Sequence, residues 1–492
     1  VRLVLKGVRA TLCGAVLAAA TCPIGAGTAA ATTQARPPGP AAELSRPLRG
    51  GNGVFIGSPI PVNLRRAGYV QREYAASGTA TSYTATSPLT GDGNWSFAPG
   101  DSAPYRTRVL VRRPLDPARF SGTVVVEWLN VSGGVDADPE WATTHEELIR
   151  RGDAWVGVSA QRIGVMGGPV LVRVDAPGAE AAGKGLKAVD PARYGSLDHP
   201  GDGFSFDIYT QAARAVRSGS GMGGLRPKRL IAAGESQSAF ALVTYYNGVQ
   251  PLTRAFDGFF VHSRGAVAMP LVAPGAYADI ASSIAGTPAV FRSDEDAPVL
   301  DVQSESDVTS VLSSYKAHQP DSDRFRLWEV AGTAHADAHL IGSTSAQIDC
   351  GVPINNGPMH VVAKAGLRAL STWMETGKAP PTAPRLEVAA GPSPQIQRDG
   401  DGIAVGGIRT PPVDVPVAAL SGAPGPTPST ICLLLGSTNP FPEARLAELY
   451  RSRDAYLRKY RAAVDAAIKA GFVLPEDRAA LLAFAEPSRI GA

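Results

Sequence analysis

Ser236 stands in the string Gly234-Glu235-Ser236-Gln237-Ser238, after the strand-like run R-L-I-A-A at 229–233 and before a stretch of helical character. A serine at a sharp strand-to-helix turn is the setting of an exposed, strained nucleophile. The residues two positions either side must be small, because the backbone closes on itself there. Gly234 meets that need, and Ser238 stands where a second glycine is usual. A blander reading is a serine-rich helix start in which Ser236 or Ser238 only caps backbone amides. Residues further along the chain favour the chemical reading.

Gly332-Thr333-Ala334-His335 follows the strand-like F-R-L-W-E-V at 325–330. An imidazole there can take the serine proton and later return it to a leaving group. His339, one helical turn on, is the fallback. An acid must hold the imidazole in the right tautomer and stabilise its cation. Residues 298–307 (P-V-L-D-V-Q-S-E-S-D) read as a strand followed by a loop with two carboxylates. Asp307 is the expected acid, and Glu305 is the alternative. Two N–H donors are needed where negative charge develops on an attacked carbonyl. One is expected from Gln237. The other is expected from Asn130 or Val131, in the loop Asn130-Val131-Ser132-Gly133-Gly134. The Asn130-Val131-Ser132 triplet also matches a glycosylation acceptor, a reading disfavoured at a strand end. Arg264, in His262-Ser263-Arg264, is a candidate substrate-binding cation, with an ordinary ion pair as the alternative. His335-x-Asp337-x-His339 offers three metal ligands in five residues, but the spacing fits no zinc pattern. No metal and no other cofactor is expected.

These residues need a scaffold that brings strand ends together. The run T-V-V-V-E-W-L at 123–129 reads as a strand buried on both faces. Strand-like runs also occupy 105–111, 154–160, 258–262 and 299–303, and residues 69–83 suggest a hairpin. Helical patterns fall between them: one opens at Asp138-Pro139 and stops at Gly152, another spans 205–219, and a third spans 359–376 before Gly377. The alternation predicts an α/β fold with a mostly parallel central sheet flanked by helices. The core is expected over 54–379, with insertions at 163–203 and 266–297, the second a candidate lid. A Pro-rich C-terminal extension, 380–492, is expected to pack on that core and to end in helices around 442–471 and 476–484.

Of 492 residues, 44% are hydrophobic and 18% charged, so a large core is affordable and global disorder is not expected. The net charge of +3, without Lys/Arg runs, excludes an evident nucleic-acid binder. Arg2, Lys6 and Arg9, the apolar run 10–20 and Ala29-Ala30-Ala31 read as a signal peptide over 1–31. A lipid anchor at Cys22 is the less favoured alternative. Residues 32–53 read as a linker. No later stretch reads as a stable membrane span. Of four cysteines, Cys13 and Cys22 fall in the signal region. Export would leave Cys350 and Cys432 as an even pair in an oxidising compartment, where a disulfide is favoured over two buried thiols.

The strings V-V-V-E-W-L-N-V-S-G-G (124–134), D-P-x-R-Y-G (190–195), G-E-S-Q-S-A (234–239), V-H-S-R-G (261–265), A-G-T-A-H-A-D (331–337) and N-N-G-P-M-H (355–360) resemble a largely uncharacterised family of bacterial, secreted α/β-hydrolase-domain proteins. The resemblance runs from about residue 54 to the C-terminus and implies that fold with a Ser-acid-His triad. The order Ser236, Asp307, His335 also suits it. The expectation is an exported serine hydrolase cutting a small-molecule or lipid-like ester. Acyl transfer, amide cleavage and a non-catalytic binding role are the alternatives.

Overall fold

The computed structural model describes residues 36–57, 62–174, 179–284, 286–391 and 394–491. The expected signal peptide, with Cys13 and Cys22, lies outside the described residues. Nine strands form the main sheet: β1 (Glu43–Pro47), β2 (Tyr69–Ala85), β3 (Phe97–Pro114), β4 (Thr123–Trp128), β5 (Ala154–Val158), β6 (Arg229–Glu235), β7 (Gly258–His262), β8 (Val299–Ser304) and β9 (Phe325–Val330). Their order is β1-β2-β3-β5-β4-β6-β7-β8-β9. The six strands from β5 to β9 pair in parallel, and β1, β2 and β3 join antiparallel.

The helices that matter to the site are α1 (Pro139–Arg151), α2 (Ser205–Arg217), α3 (Gln237–Thr244), α4 (Glu305–Thr309), α5 (Ala338–Ile341), α6 (Met359–Thr376) and α7 (Arg453–Ala470). Alternate residues of each parallel strand face opposite layers. On one side Val124, Val126, Leu230 and Ala232 meet Tyr209 and Ala212 of α2 and Phe240 of α3. On the other, Val125, Ile231, Ala233 and Phe260 meet Trp141 of α1 and Leu367 and Leu370 of α6. A strand buried on both faces has no polar side to show, which is why 123–128 is so apolar. Its exception, Glu127, accepts the Glu140 and Trp141 amides at 2.9 and 3.1 Å and the Trp155 indole N–H at 2.7 Å. The N-terminal amides of α1 are thus met from β4. Asp138, the residue read as its cap, pairs instead with Arg112.

The structure corrects several expectations. Residues 69–85 form one long strand, and the hairpin is β2 with β3. The presumed linker contains β1, the edge of the sheet. The C-terminal pattern at 442–471 divides into Glu443–Leu449 and α7. The extension has its own apolar cluster, in which Val413, Leu420, Tyr456 and Tyr460 pack with Val308, Ala331 and Val361 of the preceding part. Among the described residues, no helix is long and apolar enough to cross a membrane.

Candidate active site

Because β4 lies between β5 and β6, the chain leaves the ends of β4 and β6 in different directions. A crevice opens at such a switch point, outside the carboxyl ends of the strands. Ser236 follows β6 directly, with φ 56° and ψ −121°, a conformation that a non-glycine residue holds only when its surroundings force it. Its N–H donates to His262 O at 3.0 Å. A Cβ at Gly234 would come within 3.0 Å of the Ser238 backbone, so the first small residue is required by close approach. Ser238 replaces the second glycine with a working hydroxyl, which donates to Glu235 O at 2.8 Å and accepts from Glu235 N at 3.0 Å.

His335 follows β9 and joins two partners. Its Nε2 lies 2.8 Å from Ser236 Oγ, and its Nδ1 lies 2.7 Å from Asp307 Oδ1. The loop is pinned on both sides: His335 N donates to Ser306 Oγ at 2.6 Å, and Ala336 N to Leu434 O at 3.1 Å. Asp307 is on the first turn of α4, where its Oδ2 accepts the Ser304 amide at 2.6 Å. Burial pushes its carboxyl up, but the His335 charge and hydrogen bond outweigh burial and hold it below the ordinary range. Burial alone would lower the His335 value; the Asp307 and Glu235 charges raise it instead. Such a line can move a proton from the serine to the imidazole while the carboxylate stabilises the cation.

Glu305, the alternative acid, turns the other way. It accepts Gly332 N at 2.8 Å and Gly422 N at 2.8 Å, and pairs with Arg398. It therefore ties the histidine loop to the extension and does not touch His335 Nδ1. His339, the fallback base, stacks on His360 with centroids 3.7 Å apart. Asp337 caps α5 by accepting Leu340 N at 2.8 Å. Among the described residues no group of three or more His, Cys, Asp or Glu side chains is placed to hold a metal ion.

The loop after β4 supplies one available donor of the two named. Asn130 N–H is already bonded to Ala137 O at 3.0 Å, and its side chain braces Glu235 O at 3.0 Å, so Asn130 is a support rather than a donor. Val131 N–H is held only loosely, by Gln237 Oε1 at 3.3 Å. Gln237 N–H belongs to the first turn of α3, whose amides have no partner within their own helix. Arg264 is also reassigned: it is 1% exposed, bonds Asp301 at 3.1 Å and Ala289 O at 2.9 Å, and lies over Phe291. It is an internal ion pair and is not among the residues that line the cavity described below.

Ser236 and His335 open into a cavity of about 500 Å³. Its walls are largely aliphatic and include Ile56, Val172, Ile341, Ile431 and Leu434. Among the described residues, the insertion that contributes wall residues is 163–203; none comes from 266–297, the segment read as a lid. The extension contributes at 431–434, where Cys432 is disulfide-bonded to Cys350 with Cα atoms 5.5 Å apart. Sequence reasoning missed two features. Arg108, fully buried, pairs with Asp136 at 2.6 Å and fixes the loop before α1. Glu235 itself, the residue before the serine, borders the cavity. A charged residue inside an otherwise small-residue string was the available signal for Glu235; Arg108, among the arginines of 106–113, had none.

A lidless α/β serine hydrolase from Xanthomonas campestris aligns with a TM-score of 0.30 at 14% identity, over 59% of this chain and 94% of that one. One of two fungal esterases from Rhizomucor miehei gives 0.29 at 11% identity, over 61% and 86%. Curated proteins give no sequence match. A family model described as an alpha/beta hydrolase domain matches residues 38–483, nearly the whole of the described chain, and the protein therefore belongs to that α/β-hydrolase family.

Proposed function

We propose that this protein is an exported serine esterase acting on a small or lipid-like ester with an apolar group. The observation that carries the reading is the hydrogen-bonded line Asp307–His335–Ser236 ending at an aliphatic cavity. Ser236 Oγ attacks the acyl carbon as His335 Nε2 takes the hydroxyl proton. The oxyanion is met by Gln237 N–H and by Val131 N–H, which exchanges the Gln237 side chain for the ligand oxygen. His335 then protonates the leaving alcohol, and the acyl group stays on Ser236. Water, deprotonated by the same imidazole, releases the acid and restores the serine. The strained backbone at Ser236 supports catalysis over passive binding, since a conformation costing about 1–3 kcal/mol persists where function uses it.

Export is supported by the basic and apolar N-terminal pattern and by the Cys350–Cys432 bond, a kind that persists in oxidising compartments. A fluorophosphonate should label the protein at Ser236, and hydrolysis should be measured across an ester chain-length series. Ser236→Ala should abolish both labelling and turnover with an unchanged melting profile. Labelling of that variant at the native rate would refute the assignment.

A further inference from the structure

We propose that the Glu235 carboxylate competes with Ser236 for the Nε2 proton of His335, making Glu235 a positioning residue for the general base. The inference rests on the serine-esterase reading above. Glu235 is the last residue of β6, and its Oε1 lies 3.4 Å from the nitrogen that Ser236 Oγ reaches at 2.8 Å. Its side chain is 5% exposed and borders the cavity. Of the other carboxylates around the site, Asp307, Glu127 and Glu305 are held by short bonds from the amides of Ser304, Glu140 and Gly332, and Glu140 is held by the His262 imidazole at 3.1 Å. Among the described residues, the Glu235 carboxylate has, apart from His335, only a long contact of 3.5 Å from Asn130 Nδ2. It is free to follow the imidazole proton.

The charges facing Glu235 come from four elements. His335 lies on the loop after β9, His262 at the end of β7, Glu140 at the start of α1, and Asp307 on α4. His262 is paired with Glu140 at 3.1 Å and is cross-strand neighbour to Glu235. Burial pushes the Glu235 carboxyl up, the two histidines pull it down, and Glu140 and Asp307 raise it again, leaving it at about 7. A carboxylate that changes charge there does so in the range where an imidazole base works.

The two groups therefore share protons. With Glu235 ionised and His335 protonated, the Nε2 proton points at a carboxylate and no lone pair is available to Ser236. With the shared proton on Glu235, or removed, Nε2 accepts the serine proton. Two coupled groups lose their protons in two macroscopic steps. The acidic limb of Ser236 reactivity is then broad, and it lies higher on the pH scale than a lone triad histidine would place it.

The test is the second-order rate of fluorophosphonate labelling against pH, on the full chain. Glu235→Gln, which is isosteric and uncharged, should turn the limb into a single step and move its midpoint down by about one unit or more, the scale expected on removing an opposite charge within 4–6 Å. Glu235→Asp keeps the charge but draws it back by a methylene, so it should move the midpoint in the same direction by less. A purely structural role would change the plateau rate or the melting temperature and leave the midpoint in place. Midpoints of both variants coinciding with the native one would overturn the proposal, and so would upward shifts. If Glu235→Gln fails to fold, Glu235→Asp alone decides by the same criterion. Native-rate labelling of Ser236→Ala would instead overturn the parent reading.

Discussion

The first turn of α4 divides two regions that use buried carboxylates differently. On the edge that carries Ser236, Asp307 bonds one imidazole nitrogen, whose partner nitrogen faces a serine and a cavity. On the seam with the extension, two residues earlier, Glu305 gathers Gly332 N, Gly422 N and Arg398. Both acids are buried, and both restrain the segment that carries His335. They differ in what their partners can do next. Backbone amides and a guanidinium have no proton to exchange near neutral pH, so Glu305 holds a position. An imidazole has a second nitrogen, so Asp307 can stabilise a charge that appears and disappears there. A buried acid beside a catalytic loop is therefore not identified by burial or by proximity in sequence, but by the titratable group it faces.

This contrast predicts a graded set of effects on turnover. The largest belongs to Asp307→Asn, which should lower kcat by about a thousandfold or more, because the imidazole loses its orienting anion. A steady-state assay on a short-chain ester, with thermal melting as a control for folding, checks it. A reduction confined to KM would mean that Asp307 does not serve the base.

Next comes Glu305→Gln. Its main consequence should be lost stability of roughly 2–3 kcal/mol, the scale of losing charge-assisted hydrogen bonds. Turnover at moderate temperature should fall far less than in Asp307→Asn. Urea titration beside the same ester assay would separate the two. If Glu305→Gln were the more damaging to kcat at full folding, the two carboxylates would have exchanged roles.

The smallest effect on turnover is expected from replacing Cys350 and Cys432 together by serine. The bond closes a loop of 82 residues, which the chain-entropy estimate values at roughly 4.5 kcal/mol. Melting should drop accordingly. Because Cys432 lies within the wall segment that includes Ile431 and Leu434, KM for longer esters should rise while kcat for short ones holds. A fall in kcat for short esters with folding intact would mean that the disulfide positions Ser236 and His335 as well as the seam.

Much of the edge that carries Ser236 and His335 was legible in sequence. The nearly continuous apolar run of β4 reads as a strand covered on both faces, and the alternation of such short strand-like runs with helical periods leaves few architectures. The turn at Gly234–Ser236 announces itself because close backbone approach restricts residue size, and that restriction is local. The seam was less legible. Residues 431–434 and 172–174 form walls of one cavity although more than 250 residues separate them, and no local rule links them. Residues 266–297 have the Gly/Pro content of a lid, yet Met269, Ala278 and Phe291 pack into the core that also holds Phe240 of α3.

The sequence by itself determined the chemistry available at each strand end: a serine in a tight elbow, a histidine after the last strand, and two acids after the strand before it. The chemistry of a side chain and the size limits of a turn belong to a residue and its immediate neighbours. Only the tertiary structure decided which acid meets the histidine, that Arg264 is sealed against Asp301, that Asn130 spends its amide on Ala137, and that Glu235 shares a nitrogen with Ser236. Each of these depends on the direction in which a side chain leaves its element and on what the fold brings opposite it. A shift of two residues along α4 turns a side chain to another face of the helix, and a string of letters does not say which face will meet the imidazole.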